Sequence, residues 1–211
     1  MTAGTTVWMK PRAARAVTLL IVLGTAGASH AHGVGEGLGG FSGGFLHPLL
    51  EPAHLMAVVT LALLIGQRGF AATQPAMWTF AAGLAAGLFA AAAGWTQGSP
   101  IGALVAAAAT GALVAIGKPW PRLVYGLVAL AAGAAIGLAS MPEGSTPREA
   151  TPALIGTFFG ACIWVADGAL LAARIRQPWG LILVRVVASW MTAGALLVLA
   201  LRIARAAAAQ P

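Results

Sequence analysis

Acidic residues are almost missing from this chain. Only five of its 211 residues are Asp or Glu, and charged side chains of both signs make up 8%, against roughly 25% in soluble domains. Too little charge is present to cover a water-facing globule of this size. Cysteine occurs once, as Cys162 inside an apolar run. That excludes a disulfide within the chain and a thiolate metal cluster, and leaves a small packing residue. No Walker sequence and no soluble segment long enough for an ATPase domain is found, so ATP-driven work is excluded as well.

What remains is 59% hydrophobic, with mean hydropathy +0.88 and 28 glycines. Apolar runs of about 20 residues specify an integral membrane protein built of helices, since a membrane β-barrel reads as weak ten-residue alternation. The abundant glycine suits close helix packing in lipid. The net charge of +7 and the pI near 11.4 raise nucleic acid as a partner. However, the basic residues flank apolar runs instead of forming a stripe, so they are topology signals and nucleic acid is rejected.

Residues 1–31 have the pattern of a secretory signal peptide: Lys10, Arg12 and Arg15, then "AVTLLIVLGTAGA", then "GASHAH". Cleavage is expected after Ala28 or Ala31. Residues 32–44 form a Gly/His-rich lead, too rich in glycine for a stable helix in water and expected to be flexible. Residues 45–211 make the membrane domain. The fold class is therefore all-α: a polytopic membrane helix bundle, with about six transmembrane helices near 45–66, 76–95, 100–117, 123–140, 152–173 and 180–201. Trp78, Trp95, Trp120, Trp179 and Tyr125 stand near span ends, as interfacial aromatics do. A secreted N-terminus puts Arg68, Lys118, Arg122, Arg174 and Arg176 on the cytoplasmic side and Arg148 outside, in accord with the positive-inside rule. The mature N-terminus is then periplasmic, in the inner membrane of a Gram-negative-type cell. Arg202 and Arg205 fall outside and depart from that rule.

The stretch "HPLLEPAH" opens the first mature span. On a continuous helix His47, Glu51 and His54 lie at about 0°, 40° and −20° and share a face. Two imidazoles and a carboxylate suit Ni²⁺, Co²⁺ or Zn²⁺, whereas calcium wants oxygen ligands and Cu⁺ more sulfur. Ionisable groups inside a membrane face a cavity, a partner or a pathway. Pro48 fits a first turn, while Pro52 leaves the Pro48 carbonyl without its helical donor and bends the helix. His30 and His32 complete the chain's set of four histidines, all on the expected outer side, with Glu36 solvated in the same arm.

A signal ending in "HAH", a glycine-rich lead, and then "GGFLHPLLEPAHLMAVVTLALLIGQ" resembles the HupE/UreJ family. These small membrane proteins accompany hydrogenases and ureases and are regarded as nickel or cobalt permeases. The family pattern is His-Pro-x-x-Gly-x-Asp-His, which His47, Pro48 and His54 match, with Leu55, Met56 and Ala57 following in character. Ala53 stands at the family's Asp and Glu51 at its Gly, so a carboxylate has moved by two positions. No histidine follows His54, and no acid lies in the spans near 76–140, where the family tends to carry such residues.

Three further features call for a reading. Asp167 is the acid set deep in a later span and Arg185 the base in the last one. They are expected to form an ion pair, or alternatively a proton relay or second ligand. Gly156 with Gly160, and Gly133 with Gly137, have the GxxxG spacing of close helix contacts, within one chain or between copies. "GFSG" at 40–43 matches the serine motif of rhomboid proteases, but a serine nucleophile needs a base and no histidine follows on a later helix.

The resulting expectation is a protein that is not an enzyme and has no permanently bound cofactor. It would carry nickel or cobalt, with zinc as a third choice, across the membrane. His30 or His32 captures the ion, and His47, Glu51 and His54 hold it. Neutral imidazoles bind metal, so affinity falls as pH drops through roughly 6.5. The rival expectation is a non-transporting accessory protein that docks a metalloenzyme-maturation partner. Beyond the lipid bilayer and the ion, the partners considered are such maturation proteins and a second copy of the chain. A channel for a small neutral solute leaves the histidines unexplained.

Overall fold

The computed structural model describes residues 40–95, 99–142 and 144–208, the side chains of 70–73 excepted. Every regular element among them is a helix: α1 (Gly40–Leu50), α2 (Pro52–Gly66), α3 (Phe70–Ala92), α4 (Ile101–Ile116), α5 (Arg122–Leu138), α6 (Pro147–Ala173) and α7 (Pro178–Ala208). The breaks fall at the glycine- and proline-rich loops. Gly69 and Gly117 take φ of 80° and 66°, a conformation that costs glycine nothing and ends a helix cleanly. Thr146 and Glu149 form a reciprocal capping box at the start of α6, which satisfies two orphan donors there.

Helices α3, α6 and α7 are each long and apolar enough to cross a membrane. The pair α1–α2 makes a fourth if the two are one span broken by a 71° bend. Contacts with α6 argue that it is one. Gly40 meets Pro152, Gly44 meets Ala153, Phe45 meets Gly160, Ala62 meets Gly168 and Gly66 meets Ala172. The order rises along both partners, so α1 and α2 travel together in the direction of α6; a re-entrant hairpin would reverse. Helices α4 and α5, with 16 and 17 residues, are shorter than the roughly 20 needed to span the hydrocarbon layer upright. The six long spans expected from sequence thus resolve into three long ones, a broken one and two short apolar helices.

Chain direction alternates at each loop. The carbonyl of Val114 near the end of α4 accepts from Gln67 just past α2, at 3.3 Å, so α2 and α4 finish together. Gly111 and Gly117 of α4 meet Ala188 and Arg185 of α7 in antiparallel order. The loops bearing Arg68, Lys118 and Arg122, and Arg174 and Arg176 therefore gather at one end, as the charge pattern requires.

Helix α2 is the hub. It touches every other helix and is buried on all sides, through Ala57, Val58, Leu61, Leu64 and Ile65 among others. A helix that is apolar all round belongs in such a place. Around it α3 and α5 run parallel with their backbones pressed together: Gly83 faces the Leu130 carbonyl, and Gly133 faces that of Phe80. Both GxxxG pairs pack inside the chain, since Gly156 and Gly160 face the Phe41 and Phe45 carbonyls of α1. Helix α7 is the outermost, with Trp190 78% and Leu197 71% exposed.

Two expectations from sequence change here. Residues 40–44 are helical, although glycine disfavours helix in water, because the missing side chains let α1 lie against α6. And Tyr125, though it stays near a helix end, turns its ring into the protein instead of outward, with the Arg68 guanidinium 5.7 Å from its ring centre.

Candidate functional site

The break between α1 and α2 follows from two prolines. Glu51 precedes Pro52 and is driven to extended backbone, φ −84° and ψ 116°, because the proline ring disfavours helical geometry one residue earlier. Pro48 has no N–H, so the Gly44 carbonyl loses its helical donor. The Thr157 hydroxyl of α6 donates to that carbonyl at 3.1 Å. Two turns further along α6, the Trp164 indole donates to the carbonyl of the next α1 residue, Phe45, at 3.2 Å. These two side chains pin α1 to α6 where its own ladder is weakest.

Thr157 is 1% exposed, so its loss would strand a buried carbonyl. Thr157→Val keeps the shape and is expected to lower stability by about 1–3 kcal/mol. Thermal unfolding in detergent measures this, and Thr157→Ser should restore it. Equal melting of all three proteins would mean the bond contributes nothing.

Across the break His47, near the end of α1, meets His54, in the first turn of α2. Their ring centres are 5.0 Å apart at 75°. His54 is fully buried. Its Nδ1 and Nε2 have no hydrogen-bond partner, and neither has Nε2 of His47. Buried polar atoms are almost always paired, so three orphaned imidazole nitrogens at one bend are an exception that a ligand would explain. The spacing fits one ion. With metal–nitrogen bonds of about 2.0–2.1 Å and ring centres about 1 Å behind the nitrogens, two imidazoles at tetrahedral angles sit roughly 5 Å apart.

Glu51 does not complete the site. Among the described residues no three of His, Cys, Asp and Glu gather closely enough to hold one ion. The single helical face predicted for His47, Glu51 and His54 presupposed one axis. The 71° bend instead places the histidines on separate helices and leaves half-buried Glu51 in the connecting residue. His30 and His32, the signal sequence and the lead up to residue 39 lie outside the described residues.

The expected pair of Asp167 and Arg185 is not formed. Asp167 lies on α6, which packs on α1, α2 and α3, whereas Arg185 lies on α7, which packs on α4 and touches α2. Both side chains are exposed. Asp167 sits between Ile163 and Leu170, themselves 42% and 41% exposed. Sequence reasoning also missed the hydroxyl pair of Thr60 and Thr110, 2.7 Å apart and buried between α2 and α4. Each hydroxyl also lies within donating distance of the carbonyl four residues back, so the two protons are shared among three contacts. Such back-bonding hides a threonine among apolar residues in any pattern-based reading.

No family model, curated protein or solved structure matches this chain.

Proposed function

We propose that this protein carries a divalent transition metal ion, nickel or cobalt, across the inner membrane without ATP, for use in metalloenzyme maturation. The observation supporting this is the pair of imidazoles at the broken helix, with three buried nitrogens and no partner. Neutral imidazole nitrogen is a favoured ligand for these ions and a poor one for Mg²⁺ or Ca²⁺. A two-histidine site is incomplete for a four- or six-coordinate ion, which suits a substrate that must leave. Water or the His30–His32 arm supplies the remaining positions. Because the two ligands belong to two helices, a change in the bend parts them and releases the ion. On this reading all six segments cross the membrane, α4 and α5 where the layer is thinned, and the alternation of chain direction supports that count.

The test is uptake of radiolabelled Ni²⁺ and Co²⁺ by cells expressing the wild type, His47→Ala, Glu51→Ala and His54→Ala at matched membrane levels. Loss of at least tenfold in both histidine variants is expected, with a smaller loss for Glu51→Ala. Absence of wild-type uptake above background would sink the permease reading. It would favour instead a non-transporting accessory protein that docks a maturation partner.

A further inference from the structure

A second site lies at the other end of α2. There α2 and α4 finish and α7 begins, around a cleft of about 200 Å³ lined by Gln67, Arg68, Gly117, Lys118, Tyr125 and Arg185 among others. Three of these side chains are cationic and no acid lines the cleft. Like charges gathered without an acid among the lining residues make the cleft attractive to an anion.

The protein offsets only part of this charge. Arg68 donates to the Trp120 carbonyl at 2.7 Å and lies over Tyr125. Arg185 is seated flat on Gly117: a Cβ there would come within 2.4 Å of its Cζ and Nη2. The left-handed φ of 66° favours glycine at 117, and its missing side chain leaves room for the guanidinium. Neither the Arg185 guanidinium nor the Lys118 ammonium has a hydrogen bond or ion pair among the described residues, and both residues are exposed. The carbonyl ends of α2 and α4 contribute roughly −0.5 charge each. Against three cations, a surplus of roughly two positive charges remains, which suits a phosphate monoester or inorganic phosphate at about −1.5 to −2, and more than offsets a phosphodiester headgroup at about −1.

Size narrows the ligand further. A cleft of about 200 Å³ is smaller than the roughly 300–1,000 Å³ of pockets that hold whole drug-sized molecules, but ample for a phosphate group and its waters. Leu181 forms part of the wall, and the next two residues, Ile182 and Leu183, are 62% and 52% exposed. The outer surface of α7 beside the cleft is thus apolar.

We propose that this cleft binds a phosphate-type oxyanion through Lys118, Arg185 and the free donors of Arg68. The phosphate is carried either by an anionic phospholipid headgroup, whose chains follow α7, or by a soluble phosphate. The site is independent of the histidine pair and stands whether or not the chain moves metal.

The experiment uses the full chain in phosphatidylcholine nanodiscs, with phosphatidylglycerol or inorganic phosphate as probe and thermal stabilisation as readout. Wild type should be stabilised by at least one probe. In the double variant Lys118→Gln/Arg185→Gln, the concentration giving half the effect should rise about tenfold or more, as two charge-assisted hydrogen bonds are lost. Arg202→Gln/Arg205→Gln, at the end of α7, should leave it unchanged, and Arg185→Lys should restore part of the response. Response to phosphatidylglycerol alone identifies the lipid as source, and competition by inorganic phosphate identifies the free anion. No response of the wild type to either probe, or an undiminished response in the folded double variant, overturns the proposal.

Discussion

Replacing His54 by leucine is expected to make the protein more stable and, on the metal-transport reading, inactive. His54 is fully buried with both ring nitrogens unpartnered. Each unsatisfied buried group costs about 1–3 kcal/mol, and leucine of similar volume removes both without opening a cavity. A gain of about 2–6 kcal/mol is expected for the two groups, and in a domain of this size each kcal/mol raises the melting temperature by roughly 2–4 °C. Nickel should stabilise the wild type by about 2.7 kcal/mol at a hundred times its dissociation constant and leave His54→Leu untouched. Uptake and melting, with and without Ni²⁺, check both halves. A variant that melts lower than wild type and still takes up metal would show His54 to be a packing residue and remove the basis of the proposed function.

The second large effect is purely structural. A Cβ added at Gly133 would come within 2.3 Å of the Phe80 carbonyl and 2.8 Å of the Leu84 nitrogen. Both are backbone atoms of α3 and cannot swing aside. Gly133→Ala should therefore force α3 and α5 apart and lose at least 3 kcal/mol, the top of the usual range for overpacking, even though alanine improves helix propensity by about 1 kcal/mol. Gly126→Ala on the same helix is the control, because its nearest neighbour, a Thr79 methyl, would be 3.9 Å away. Gly126→Ala should be neutral or slightly stabilising. Size-exclusion profiles and melting curves of the two variants decide the matter, and equal behaviour would mean that the α3–α5 contact is looser than it stands here.

Much of the helical plan was legible because apolar runs and Pro/Gly breaks carry it directly. The bend at Pro52 was legible for the same reason, whereas the meeting of His47 and His54 was expected on one unbroken helix and is made across the break instead. Glu51 was misplaced because a helical wheel assumes an unbroken axis, while the residue before a proline leaves the helix. Helix α1 was taken for a flexible lead up to residue 44 because its partners, Ala153 and Thr157, lie more than a hundred residues further on. Arg185 was expected inside because lipid and protein core both demand apolar side chains. Sequence alone therefore does not tell which face of a helix such as α7 looks inward, and the outward-facing guanidinium found its place only against Gly117.

The dependence of α1 on α6 also orders events during synthesis. A chain emerging from the ribosome carries both histidines by residue 54, yet Thr157 and Trp164, which hold α1 in place, are made about a hundred residues later. Until α6 inserts, a proline-broken, glycine-rich α1 has nothing to lie against. The two imidazoles then have no fixed separation. The two rings are thus set at their separation only once α6 is in place.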